Sequence, residues 1–346
     1  MRFAVFGKNC DLKYRNIMDR RDIHVLKYFS SYVSVSDGKV INITDPTLTY
    51  CPLAEHLYKD FRGKSHSDKD AIKNVIKMAI ESKIKDYGFF TDERKILFND
   101  VAIPYGASEM ISFSLRKKVI DAAVVVCDGA GTVITDKPKI VQGIGARMNS
   151  LLMTSPVKGI IKKLKSFGCQ VVFENALIDQ ARGVQEAVRA GYKTIVVSVC
   201  GHSAENLKAI RSIEKEYDVS VITLAVCTTG ITKDKINIIR DHADLVWSCA
   251  SSDVRRIIGS LAILQLSRQI PVFVLTEKGL DFVAAYSRNK EIIDDLDSKK
   301  QYLASNEPSG QPVYLGNFKV FIRECKLPVN ARKEPIFEDK NEYASV

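Results

Sequence analysis

Residues 119–132 read Val119-Ile120-Asp121-Ala122-Ala123-Val124-Val125-Val126-Cys127-Asp128-Gly129-Ala130-Gly131-Thr132. A Val-rich run, interrupted only by Asp121, stops at a cysteine and a glycine turn. A short apolar run without alternation is the mark of a strand covered on both faces. The same pattern recurs at 171–173, 194–199, 219–226, 244–247 and 271–275. Helical patterns fill the intervals at 178–190, 204–216, 233–242 and 254–269. Alternating strands and helices of these lengths indicate βαβ units. The expected fold class is therefore α/β, with an open doubly wound parallel sheet (Rossmann-like) over residues 119–290.

Working outward, residues 1–118 have a different texture. Strands are expected at 2–6 and 39–44, and a helix at 70–84 with Ile72, Val75, Ile76 and Ile80 on one face. Residues 59–70 and 91–94 read as loops. The expected organisation is a smaller N-terminal α+β domain (1–118), a parallel α/β domain (119–300), and a C-terminal strand at 319–323 with an extended, proline-marked tail (301–346).

The formal charge of +10 is spread along the chain. Its densest basic run, 158–165, carries Ile160, Ile161 and Leu164 at helical spacing, so its lysines form the solvated face of an amphipathic helix. Basic residues are not interleaved with aromatics, and nucleic acid is not an expected partner. No stretch approaches the roughly 18 apolar residues of a membrane span. The N-terminal Met1-Arg2-Phe3-Ala4-Val5-Phe6 reads as a strand rather than an export signal. A cytoplasmic, reducing location is expected, where the eight cysteines are buried, metal-bound or catalytic rather than disulfide-linked. No CxxC pair occurs, which argues against a zinc ribbon.

The cysteines carry the sharpest pattern. Strands end at Val126-Cys127-Asp128, Val199-Cys200-Gly201-His202, Val226-Cys227-Thr228-Thr229-Gly230 and Trp247-Ser248-Cys249. In an open α/β sheet the carboxyl ends of parallel strands share the edge at which ligands bind. A thiol near a helix start also feels positive potential. Such thiols suit a soft metal, an iron–sulfur cluster or nucleophilic chemistry. Taken singly, each reads more readily as a small buried hydrophobe; only the set points to a thiol site.

The glycine segments are the second pattern. Gly129, Gly131 and Thr132 follow a buried strand, and Thr228-Thr229-Gly230 precedes a helix. Both could offer N–H groups to a phosphate, as candidate cofactor-binding positions. Asp128 and Glu109 are candidate acid–base residues. The plainer readings are a tight turn capped by Asp128 and a helix start at Glu109.

Taken in order, Cys51-Pro52-Leu53, Gly106-Ala107-Ser108-Glu109, Cys127-Asp128-Gly129-Ala130-Gly131-Thr132-Val133, Gln142-Gly143-Ile144-Gly145, Ile178-Asp179-Gln180 with Gly183-Val184, Thr229-Gly230-Ile231 and Cys249-Ala250-Ser251 resemble the methanogenesis marker 8 family, whose function is uncharacterised. The resemblance spans roughly residues 50–250. It implies a link to methane-forming archaea and their methyl-group chemistry, and it carries no catalytic residues with it. Cys51, Cys127 and Cys249 lie in the matching segments whereas Cys200 and Cys227 do not, which favours a three-cysteine metal site.

Two functions follow as expectations. One is an accessory protein of methanogenesis or one-carbon metabolism whose cysteine-rich crevice holds an iron–sulfur cluster or other metal thiolate, with a small molecule or a protein of methyl metabolism as partner. The alternative is an enzyme that binds a phosphorylated or nucleotide-like ligand at the carboxyl edge of the strands. The sequence leaves the oligomeric state open.

Overall fold

The computed structural model describes residues 22–28, 30–48, 68–101, 103–148 and 150–330. The chain opens with β1 (His24–Tyr28), β2 (Ser31–Ser36), β3 (Lys39–Ile43) and the long helix α1 (Lys69–Tyr87). Asp68 caps α1 by accepting from the N–H groups of Asp70 and Ala71, and Gly88 ends it in the left-handed conformation. Next come α2 (Ala107–Arg116), β4 (Ala122–Cys127), β5 (Gly131–Thr135), α3 (Pro138–Gly145), β6 (Ser150–Thr154), α4 (Lys158–Ser166) and β7 (Gln170–Val171). The alternating portion runs α5 (Gln180–Arg189), β8 (Thr194–Cys200), α6 (Glu205–Tyr217), β9 (Ser220–Val226), α7 (Lys233–His242) and β10 (Leu245–Trp247). Then follow α8 (Ser252–Ile257), β11 (Leu264–Leu266), β12 (Val272–Val274), α9 (Glu277–Tyr286), α10 (Lys290–Asp294), β13 (Tyr302–Ser305), β14 (Gln311–Leu315) and β15 (Phe318–Glu324). The strand expected at residues 2–6 lies outside the described residues.

The fold is mixed α/β. An eleven-stranded sheet runs β14-β15-β13-β11-β12-β10-β9-β8-β4-β5-β7, and a four-stranded antiparallel sheet runs β3-β2-β1-β6. The small sheet thus takes its fourth strand from residues beyond the first 118. Residues 302–324 extend the large sheet at its other end.

The expectation of an all-parallel sheet over 119–290 is corrected. Parallel pairing holds for β4, β8, β9 and β10. Antiparallel pairing joins β4 to β5, β5 to β7, and β12 to both β10 and β11. Two local causes account for this. The glycine turn after Cys127 closes a hairpin instead of leading into a helix. The helix expected at 254–269 ends at Ile257, and after a 3₁₀ turn over Gly259–Leu261 the chain returns as β11. A short apolar run fits a buried helix and a buried strand alike.

Helices cover both faces of the large sheet. Val124, Ile195 and Val197 pack with Val184 of α5, Leu207 of α6, Ile236 of α7 and Val254 of α8. Ala123, Val125 and Val196 point the other way, towards Met110 of α2, Ile140 of α3 and Val283 of α9. A third core, with Ile72 and Ile76 of α1 against Leu26, Val33 and Val35, backs the small sheet. Among the described residues no helix is long and apolar enough to cross a membrane.

Candidate ligand cavity

Strands β8, β9 and β10 are parallel neighbours, so their carboxyl ends lie side by side. A cavity of about 180 Å³ opens over them. Ser198, Val226 and Trp247 come to it from the strands. Gly106 to Glu109 come from the start of α2, and Ile144 to Met148 from the end of α3 and the turn beyond. Ser150 and Leu151 of β6 and Gln180 of α5 complete the wall. Glycine is required where these elements touch: a β-carbon on Gly145 would lie 2.7 Å from that of Ser108.

Three thiol-bearing residues border this space: Cys200, Cys227 and Cys249. Cys227 and Cys249 hold φ values of +57° and +48°, a conformation that residues with a β-carbon seldom adopt and that collects at functional sites. Cys200 Sγ lies 2.9 Å from Ser150 Oγ. Burial pushes its thiol pKa up, against the Ser150 and His202 N–H hydrogen bonds and the Lys27 charge. Lys27 reaches from β1 of the small sheet, donating to Thr229 O at 3.3 Å and lying 3.3 Å from His202 Nε2. Burial lowers the Lys27 pKa. Burial first, and then the Lys27 ammonium, pull His202 down to about 4, so its ring is neutral at pH 7, with Nε2 3.3 Å from both Lys27 Nζ and Thr229 O.

A family model described as an uncharacterised protein conserved in archaea (DUF2099) matches residues 24–287. The chain belongs to that family. An uncharacterised protein of Methanocaldococcus jannaschii is 32% identical over 289 residues, which cover 83% of this chain and 98% of the relative. The matched range of this DUF2099 protein contains every residue of the cavity wall, from Ile103 to Cys249.

Against that geometry the sequence candidates separate. Cys249 and Glu109 border the cavity. Glu109 is buried, and its carboxylate accepts from Ser108 Oγ at 2.8 Å, Gln142 Nε2 at 3.0 Å and the Ile103 N–H at 3.3 Å. Asp128 lies elsewhere, fully enclosed. It accepts from Arg94 Nε at 3.0 Å and from the Phe90 N–H at 2.7 Å. Arg94 is equally enclosed, stacks 3.7 Å from the Phe89 ring centre and donates to Gly143 O. Asp128 therefore ties α1 and its following turn to the sheet. Cys127 is buried beside it, its thiol directed at Asp128 O, and burial raises its pKa well above the usual range. Cys51 lies outside the described residues.

The glycine candidates are occupied by the protein itself. Gly129 and Gly131, at φ +71° and +67°, shape the β4–β5 hairpin. The Gly129 N–H donates to Thr154 Oγ1 at 2.8 Å, and a β-carbon on Gly131 would strike Ala176 O at 2.3 Å. Thr132 Oγ1 accepts the Asp179 N–H. Thr228 Oγ1 donates to Trp247 O, Thr229 Oγ1 accepts from the Ala250 N–H, and Gly230 lies against Lys27 Nζ. Among the described residues no three His, Cys, Asp or Glu side chains converge as metal ligands.

The resemblance favoured Cys249 and left the part of Cys200 and Cys227 open, although the strand-end rule found all three. Sequence reasoning missed Arg147 and Gln180. Gln180 stood in a matching segment without a role. Arg147 carried no signal, because only the tertiary fold brings the α3–β6 turn to the strand ends.

Proposed function

We propose that this DUF2099 protein binds a small, largely apolar organic molecule in the cysteine-bordered cavity at the carboxyl edge of β8, β9 and β10. It would act on that molecule, or present it, in the one-carbon metabolism of methane-forming archaea. The observation that carries the reading is the meeting of three strand-end cysteines, Trp247 and apolar side chains around one cavity. Pockets of this composition, with few polar groups, bind small molecules. The metabolic setting is supported by the resemblance to the methanogenesis marker 8 family. A phosphorylated ligand draws less support, since the threonines and glycines expected to hold it are engaged within the protein.

Trp247 is the chain's one tryptophan and borders the cavity, so its fluorescence reports occupancy. A screen of small organic molecules on the full chain is expected to give saturable changes in emission together with a raised melting midpoint. Val226→Phe, which fills the space, should abolish both. Ligands that bind the Val226→Phe variant as well as the parent would refute the site.

A second reading rests on the same three cysteines: a soft metal or iron–sulfur cluster held at this edge. Anaerobic purification followed by metal and sulfide analysis tests it. Stoichiometric iron and sulfide lost on Cys249→Ala would support it, and their absence would remove it.

A further inference from the structure

Two donors in the cavity wall have no acceptor among the described residues. Gln180 is 1% exposed, and Asn206 Nδ2 donates to its Oε1 at 2.9 Å. That bond occupies Oε1, no bond of Nε2 to another described residue accompanies it, and Gln180 borders the cavity. Arg147 borders the same cavity at φ +65°. Its guanidinium lies 4.8 Å from the Tyr87 ring centre and 6.0 Å from that of Phe98, and its buried Nη1 has no partner. Aromatic faces hold the cation in place without neutralising it. A buried amide donor and a half-buried guanidinium are both costly until an acceptor arrives.

Resting on the reading of the cavity as a small-molecule site, we infer that its ligand is a small monocarboxylate whose oxygens are received by Arg147 and Gln180. The apolar body lies among Ile111, Ile144, Leu151 and Trp247. The charge balance selects this class. Arg147 and Glu109 are the charged side chains of the wall, and the Glu109 oxygens already accept from Ser108, Gln142 and Ile103. One added negative charge meets the guanidinium, whereas a phosphate dianion would bring a second charge that no further cation among the described residues of the wall meets. A guanidinium also offers the paired N–H geometry that suits a carboxylate.

The test uses the full chain, Trp247 fluorescence and melting midpoints, with butanoate, 1-butanol and butyl phosphate as probes. Butanoate is expected to bind more tightly than the other two. Arg147→Met and Gln180→Leu should each weaken butanoate roughly tenfold or more while leaving 1-butanol unchanged. Gln180→Glu keeps the side-chain shape and exchanges a donor for a charge, so a folded Gln180→Glu variant should reject butanoate. Equal or tighter binding of 1-butanol overturns the carboxylate inference and leaves the apolar cavity standing. Tighter binding of butyl phosphate, or undiminished butanoate binding in folded Gln180→Glu, also overturns it. No response to any of the three probes in the parent protein defeats both the inference and the reading beneath it.

Discussion

Asp128 and Arg94 are each fully enclosed, and removing either strands the other's charge in an apolar interior. Breaking a buried pair from one side typically costs about 3–5 kcal/mol. Asp128→Ala should therefore lower unfolding free energy by about that amount in urea titrations, while the folded fraction keeps its Trp247 response to ligand. A folded, fully stable Asp128→Ala variant that has lost ligand binding would instead return Asp128 to the site. His202 makes a second residue-level prediction. Its pKa falls from 6.5 to about 4, by burial and then by Lys27. Between those values the unfolded chain binds a proton that the folded protein refuses, so stability falls as pH drops from about 6.5 towards 4. His24, also lowered by burial, adds to the same slope. In His202→Gln the fall between pH 7 and 5 should be shallower. Parallel pH–stability curves for parent and variant would rule out this role for His202.

At the scale of elements, α5 lies on the sheet because Gly183 has no side chain. A β-carbon there would come within 2.6 Å of Thr132 Cγ2 and Val124 Cγ1. Gly183→Val should cost about 1–3 kcal/mol through overpacking and, by lifting the start of α5, weaken ligands that use Gln180. Melting midpoints and Trp247 titrations measure the two effects separately, and unchanged values in both would show that the helix yields freely. The parallel strands β8, β9 and β10 and the helices α6 and α7 were legible in the sequence, because each is a single unbroken pattern bounded by turn residues. The chain's return through β11 was not, since Gly259 and the apolar run after it fit a continuing helix equally well. The β4–β5 hairpin was hidden for a related reason. Gly129 and Gly131 suit a phosphate loop and a tight turn alike, and what decides between them is Thr154 and Ala176, both distant in sequence. The cavity wall was half legible: the strand-end rule reached Cys200, Cys227 and Cys249, while Arg147 and Gln180 come from the α3–β6 turn and the start of α5, whose placement depends on the whole packing.

Across the whole molecule the small sheet and the large one meet at the cavity's edge. β6 belongs to the small sheet yet places Ser150 against Cys200, and Lys27 of β1 reaches Thr229 O and His202. Those two contacts fasten the small sheet over the loops that follow β8 and β9. Cysteines on the two sides of this fastening should then label by different routes. Cys227 and Cys249 are half-buried, Cys200 is 9% exposed, and Cys127 is wholly enclosed beneath the β4–β5 turn. A short pulse of N-ethylmaleimide on the native protein, mapped by mass spectrometry, is expected to modify Cys227 and Cys249 first, Cys200 later, and Cys127 only on global unfolding. Lys27→Met removes the ammonium that bridges the sheets while keeping the aliphatic stem in place. Local opening sets the labelling of groups near a mobile contact, and global stability sets that of a core group. Labelling of Cys200 and Cys227 should therefore accelerate severalfold in Lys27→Met, with Cys127 unchanged. Acceleration at all four positions in parallel would mean that the variant is simply less stable. Identical rates in parent and variant would mean that Lys27 does not hold the small sheet over the cavity.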